Sequence, residues 1–516
     1  MIKIINKMAN NSGSGFFFIA NLMNFVLATA VFTIPYPMYE VGIILGPLIL
    51  ATTCFVSVIA CQFIIEALAM KNCIKKKEDI TLDKAIESES ESDKKEPFKG
   101  DELASERISG IESTTSKETL INKDGEESDD FYIKQRYEIS KLSKILPKPL
   151  YFFVVITIIC YLYVGVTSNG IIAATNLLDI IGKTIGTVLP DYYYYVIISV
   201  FFFFTICVAL NNIKHLKKFS MFIMIMRILV ISLIIGCCIY SMVKYQVTKF
   251  SELKKFDISN ITVMIGNSLF VFMSHHSIPG MVENFSPQKH LMKLLIIGYF
   301  CCFLFMVGYG YLALFAFGSP SLPCDKSTFP SAIYATFSSN FLGIKVIGHI
   351  INYYPILNVI TSGMQLITLR NNILEAIGGC SISTMKKLNF AEQKGCNAII
   401  KSFFFNLLVA IPPITVGVFI KNIQTLMKYF SSVLGFLLML IVPVIVVNGF
   451  RKHFAKRKFK KGKLNQSFMQ GIGGNIFIGI MSVVIFSLVI FGFINSVQTK
   501  DCVNQNPTFR CGINDS

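Results

Sequence analysis

Between Phe219 and Val243 the chain runs for 25 residues with one charged side chain, Arg227. A helix crossing the hydrocarbon core of a bilayer needs about 20 predominantly apolar residues, each advancing the axis about 1.5 Å. This chain repeats such a run. Candidate spans lie near residues 16–37, 43–70, 149–178, 192–211, 219–243, 262–282, 291–317, 341–369, 399–420, 426–448 and 471–494. Hydrophobic residues make up 53% of the chain and charged residues 15%, against about 45–50% and about 25% in soluble domains. The predicted fold class is an all-α polytopic membrane protein with about eleven transmembrane helices. A soluble enzyme and a disulfide scaffold are excluded.

The charges are segregated. Residues 71–149 hold 19 of the 31 acidic residues and 16 of the 48 Lys and Arg. That stretch has too little apolar surface to build a core, so the sequence predicts a disordered cytoplasmic loop over 71–148. Helices 1 and 2 fall in 16–70 and helices 3 to 11 in 149–494, with a cytoplasmic segment 1–15 and a non-cytoplasmic tail 495–516. An N-terminus inside puts about 36 Lys and Arg on cytoplasmic segments and about 10 outside, the asymmetry that orients membrane proteins. The basic excess is therefore read as topological. No aromatic–basic interleaving suggests nucleic-acid binding. No nucleophile–base constellation, cofactor motif or metal spacing appears, so no enzyme activity, cofactor or metal is expected. Cys73, beside Lys75, Lys76 and Lys77 at a membrane edge, is a candidate for acylation. Asn260-Ile261-Thr262 is a glycosylation sequon on the expected outer side.

Two spans look broken. The first contains Pro35 and Pro37; the sixth reads Ser274-His275-His276-Ser277-Ile278-Pro279-Gly280. They are five spans apart, so the second occupies the corresponding place in an inverted half. Interrupted helices in such positions point to a transporter's binding site.

Motifs at these breaks resemble the amino acid/auxin permease family of secondary transporters. The family's first-helix pattern, N-x-x-x-G-x-G-I-L-x-x-P followed by an aromatic and Ala, is matched by Asn24, Ala28, Ala30, Val31, Phe32, Pro35, Tyr36 and Pro37. Both pattern glycines are Ala here. Its sixth-helix pattern is matched by Phe270, Phe272 and His275, with His275 and His276 both open as the family's histidine. Residues 211–220 and the stretch from Tyr309 to Gly318 resemble further family segments. The resemblance implies a five-plus-five inverted-repeat (LeuT-type) fold plus one extra helix. It also implies a secondary amino acid transporter, proton-coupled or a uniporter, in the plasma membrane or an acidic vacuole- or lysosome-like membrane. Amino acid substrate, lipid bilayer and protons are the expected partners. The alternatives are an amino-acid-sensing receptor without flux, and a sodium-coupled or cationic amino acid transporter.

By the same resemblance the substrate is lined by Asn24, Val26, Leu27, Ala28 and Thr29 from the first helix and by Phe270, Phe272, Ser274 and His275 from the sixth. An unwound first helix would present N–H groups to the carboxylate, and carbonyls near Phe270–His275 would face the ammonium. No carboxylate lies in either broken span, which predicts neutral substrates, aromatic ones among them. Arg227 lies mid-span, where insertion costs about 2.5–3.5 kcal/mol, so it should face protein or a polar cavity. The fifth helix of this fold runs beside the first and eighth, where sodium-coupled relatives hold an ion. Asn358, Thr361 and Ser362 put three oxygens on one face of the eighth span. Arg227, His276, Asn358, Thr361 and Ser362 are therefore the ion-coupling candidates. Glu66, in the second span, is a further candidate for touching the transport path.

Overall fold

The computed structural model describes residues 15, 18–19, 22–23, 26, 32–92, 133–135, 137–185, 187, 189–210, 213–245, 248–275, 277–282, 285, 288–317, 350–351, 353–377, 396–457 and 472–503. Among them every regular element is helical. We number the principal helices α1 (Pro35–Val41), α2 (Leu45–Ser92), α3 (Lys148–Ile185), α4 (Tyr192–Ala209), α5 (Ile213–Tyr245), α6 (Ile261–Val271) and α7 (Ile278–Val282). There follow α8 (Leu291–Phe317), α9 (Asn358–Ile377), α10 (Cys396–Phe419), α11 (Ile423–Ala455) and α12 (Ile472–Val503). Eight of these carry a stretch long and apolar enough to cross a membrane: α2, α3, α4, α5, α8, α10, α11 and α12. The molecule is an all-helical, multi-span membrane protein.

The helices sort into two groups. α9 lies against α3 and α4, and α10 packs on the same two helices. The other group is built around α2, which meets α8, α11 and α6, while α1 rests on α2, α6 and α8. Membrane helices gain little from hydrophobicity against one another and rely on close packing. At Gly266 that packing is extreme: a Cβ there would collide with the Met427 carbonyl of α11. The approach coincides with a π-helical turn, Met427–Ser431, followed by a second at Leu437–Ile441. Such widened turns recur at functional sites.

The sixth span is broken where the sequence placed the interruption. α6 stops at Val271, residues 272–275 and 277 lie outside any helix, and α7 resumes at Ile278 with Pro279 in its first turn, where a missing N–H costs no helical bond. The first span resumes as α1 after a turn at Thr33 and Ile34, again with Pro35 at the helix start. Gly42 ends α1 with φ +97°, and a Cβ there would strike the Lys255 backbone. The loop before α6 is stitched on at this hinge through Ile43 N–H to Lys254 O (2.9 Å) and Ile44 N–H to Lys255 O (3.1 Å).

The eighth span carries on past its expected end at 369: α9 runs Asn358–Ile377 after a 3₁₀ turn at Tyr354–Leu357, because the polar Asn371 and Asn372 do not stop the helix, while residues 341–349 lie outside the described residues. The loop expected over 71–148 also has a different outline. α2 continues helically to Ser92, and residues 133–135 and 137–146 return to the bundle with Ile133, Ile139 and Leu142 buried. Cys73 is buried rather than offered at a membrane edge, being 1% exposed. The Asn260 amide donates to Glu40 (2.7 Å) and Thr262 is fully buried, so the folded sequon is occluded.

Candidate substrate and coupling site

The break in the sixth span has two faces. On one, the half-buried Phe270 meets Tyr161 of α3 with ring centroids 6.2 Å apart. On the other, Phe272 and Ser274 join a buried knot of hydroxyls. The Phe272 carbonyl accepts from Ser57 Oγ of α2 (2.7 Å), from the Ser274 N–H (3.0 Å) and from the Tyr299 hydroxyl of α8 (3.3 Å). Ser274 Oγ also hydrogen-bonds the Tyr299 hydroxyl, which lies 3.1 Å from Cys61 Sγ and 3.2 Å from Ser57 Oγ. A broken helix leaves backbone groups that need partners in a dry interior. Here α2 and α8 supply them.

The Phe272 carbonyl and Ser274 hydroxyl, expected from the sequence to face the substrate, are engaged here by Ser57 and Tyr299. Phe272 itself is fully buried, its ring 6.1 Å from that of Tyr299. His275 is likewise fully buried, and Val26 is 1% exposed. Asn24, Leu27, Ala28, Thr29 and His276 lie outside the described residues.

A second polar group gathers where α5 meets the start of α9. Arg227, 5% exposed, donates from Nε to the Tyr354 hydroxyl (2.9 Å). The Tyr354 ring packs on Phe32 of the first span, centroids 5.7 Å apart. Tyr354, Asn358 and Ser362 follow one another at four-residue steps and therefore share a helix face. Asn358 and Ser362 are fully buried, and among the described residues neither Asn358 Oδ1 and Nδ2 nor Ser362 Oγ has a hydrogen-bond partner. Thr361 is half-buried beside them. The structure thus brings Arg227 to the first and eighth spans, beside two buried side chains whose polar atoms have no partner among the described residues.

On the outer side expected from the charge bias, Gln424 at the start of α11 joins two broken spans. Its Oε1 accepts from Asn267 Nδ2 of α6 (2.8 Å), and its Nε2 donates to the Thr33 carbonyl (3.4 Å). Asn422 caps the helix by accepting from the Gln424 N–H (2.8 Å), which fixes the Gln424 backbone.

Residues 13–494 match the family of transmembrane amino acid transporter proteins. The chain belongs to that family. Among its relatives, the Transmembrane protein 104 homolog of Dictyostelium discoideum is 25% identical over 453 residues, 82% of this chain and 86% of the relative. The Transmembrane protein 104 homolog of Drosophila melanogaster is 25% identical over 210 residues, 39% of this chain and 36% of its own length. Human Transmembrane protein 104 is 21% identical over 192 residues, 37% and 35% of the two chains. Among solved structures, MhsT in complex with L-phenylalanine aligns at 13% identity and a TM-score of 0.47, covering 93% of this chain and 97% of that one. Membership makes this transporter-family protein a non-enzyme whose family carries amino acids.

Sequence reasoning named Arg227, Asn358 and Ser362 but missed Tyr354, Tyr161, Ser57, Tyr299 and Gln424. Tyr354 carried a usable signal: it lies four residues before Asn358, on the same predicted face. The hydroxyls at 57 and 299 lie in apolar runs and have no such signal.

Proposed function

We propose that this protein is a secondary transporter carrying neutral amino acids, aromatic ones among them, by alternating access. We further propose that it works without sodium, driven by protons or as a uniporter, with its inverted repeats meeting at the two broken spans. Family membership supports an amino acid as cargo. The observation that carries the finer reading is the Arg227–Tyr354 contact beside Phe32, with Asn358 and Ser362 one and two turns further along α9.

A guanidinium stays protonated at any physiological pH. A sodium ion within ~5 Å of it would be repelled by about 3 kcal/mol at an effective dielectric of ~20. In this reading the fixed charge takes the place of a bound cation, held at Tyr354 on the α9 face that also carries Asn358 and Ser362. Neutral cargo follows from the lining. Residues 261–282 contain no Asp or Glu, and Phe270 with Tyr161 forms an aromatic wall. Burying a cationic side chain there would leave it unpaired at a large desolvation cost. A proton-driven or uniport carrier suits a plasma membrane or an acidic organelle membrane.

The test is uptake of labelled phenylalanine, leucine and lysine into proteoliposomes under imposed proton and sodium gradients. We expect phenylalanine or leucine uptake that persists when sodium is replaced by an inert cation. Preferential lysine uptake, or a strict sodium requirement, overturns the reading.

A further inference from the structure

Arg370, in the second half of α9, is buried in the bundle at 6% exposure. It sits where three helices meet. α9 lies against both α4 and α10, and its approach to α4 is close: a Cβ at Gly363, two turns before Arg370, would strike the Val208 side chain. Arg370 Nη1 donates to the Ala209 carbonyl (3.4 Å) and to Asn406 Oδ1 of α10 (3.3 Å). Ala209 is the last residue of α4, so its carbonyl is one of the four that a helix end leaves without an internal partner. The guanidinium therefore caps α4, and the negative end of that helix's dipole offsets part of its charge.

The rest of the charge is unmet. A helix end amounts to about half an elementary charge, and both bonds are long and leave from one nitrogen. Neither uses Nε or Nη2, and Nε is buried without a partner among the described residues. No Asp or Glu side chain pairs with Arg370 among those residues. Arg451 shows what this edge of a guanidinium can hold, since its Nε and Nη2 take the two oxygens of Glu66 at 2.8 Å each.

Asn406 repeats the deficit. It is fully buried, and its Nδ2 has no partner among the described residues. Turning the amide over would set Nδ2 against Arg370 Nη1, donor against donor, so the pair cannot relieve itself. Nδ2 shares a carbon with the oxygen that Nη1 reaches, which keeps it close to the guanidinium. Two buried N–H nitrogens are thus open, one of them on a permanent cation. A water would accept their bonds and leave the charge; a small anion answers both.

We propose that Arg370 and Asn406 bind a small monovalent anion, a chloride ion or a carboxylate group, that fastens α9 to α4 and α10. The site belongs to the helix group around α3 and α4, apart from the two broken spans, so it stands whether or not the protein carries amino acids.

The test follows the unfolding midpoint of the purified full-length protein in detergent. Sodium chloride or sodium acetate replaces the bulkier sodium isethionate at constant ionic strength. We expect a saturable rise of a few degrees in wild type, because a ligand held only by the folded state stabilises it. A rise with chloride alone assigns a halide, and a rise with acetate alone assigns a carboxylate. Asn406→Asp is the decisive variant. It keeps the oxygen that Nη1 reaches, removes the open N–H and builds the counter-charge into the chain. Its midpoint should match or exceed that of anion-saturated wild type and respond to neither anion. Arg370→Gln should lose the response as well; should it fail to fold, Asn406→Asp still decides. A wild-type midpoint indifferent to the anion overturns the site, and so does an undiminished response in Asn406→Asp. Glu375 and Glu392 are the acidic residues between Arg370 and Asn406 in the sequence. An indifferent wild type with a response gained in Glu375→Gln or Glu392→Gln would give the counter-charge to the chain itself.

Discussion

Glu66 of α2 and Arg451 of α11 are joined fork to fork, Oε1 to Nε and Oε2 to Nη2, at 2.8 Å each. The Glu66 side chain is 2% exposed and that of Arg451 20%, with the guanidinium 5.1 Å from the centroid of the Phe63 ring. The carboxylate that the sequence offered as a candidate for the transport path is thus committed to a bidentate pair between two helices. Bidentate geometry is the strong form of such a contact.

Removing one partner strands the other. We expect Glu66→Leu to lower stability by about 3–5 kcal/mol, the usual cost of an uncompensated buried charge. The double variant Glu66→Leu/Arg451→Leu should recover much of that, because both charges are gone and volume is kept. Thermal unfolding of the detergent-solubilised protein reads both. A single variant as stable as wild type would show that the pair holds nothing.

Tyr299 is the centre of the knot that fastens the sixth-span break. Tyr299→Phe deletes one oxygen and leaves Ser274 and Ser57 short of a partner in a dry site. We expect a loss of about 1–3 kcal/mol, together with reduced uptake at normal membrane levels, because Phe272 and Ser274 lose their anchor. Ser57→Ala should cost less, since Tyr299 still reaches the Phe272 carbonyl. Equal unfolding midpoints and uptake for Tyr299→Phe and wild type would remove the anchoring role.

The break itself was legible because Pro279-Gly280 and the paired histidines interrupt an otherwise apolar run, and such interruptions are rare there. What closes the break was not. Ser57, Cys61 and Tyr299 look like any small or aromatic residue in an apolar helix, and their convergence exists only once α2 and α8 pack. The return of residues 133–135 to the bundle was hidden for another reason. Averaged over 71–148 the composition is that of an unfolded chain, and one buried Ile133 does not move that average. Arg227 stood out because a charge in mid-membrane needs an explanation. Its partner Tyr354 did not, because tyrosine is at home at a membrane edge.

Gly266 and Gly236 give a paired test of helix approach. A Cβ at Gly266 would overlap the Met427 carbonyl, and backbone on a π-helical turn has little freedom to retreat. A Cβ at Gly236 meets nothing within 4 Å. We expect Gly266→Ala to be poorly folded or to lose transport. Gly236→Ala should be neutral or more stable by about 0.5–1 kcal/mol, as for Gly to Ala within a helix. Folded yield by size-exclusion chromatography separates them, and equal yields would mean that α6 and α11 part more easily than their geometry implies.

The last prediction concerns Arg227. If its charge stands in for an ion between the first, fifth and eighth spans, Arg227→Ala should reduce uptake while the protein still reaches the membrane. Arg227→Lys should keep part of the activity, because the charge survives and the planar fork of donors does not. Tyr354→Phe separates charge from geometry. It removes the acceptor of the 2.9 Å hydrogen bond while leaving the ring that packs on Phe32. Its effect should therefore be the smallest of the three. The measurement is initial uptake by wild type and each variant, with sodium present and replaced, at matched surface expression. An added sodium stimulation in Arg227→Ala would be the sharpest support, since the open oxygens of Asn358 and Ser362 would then be available to a cation. Full activity in Arg227→Ala, or a sodium requirement already present in wild type, would reduce Arg227 to a helix-packing residue with no part in coupling.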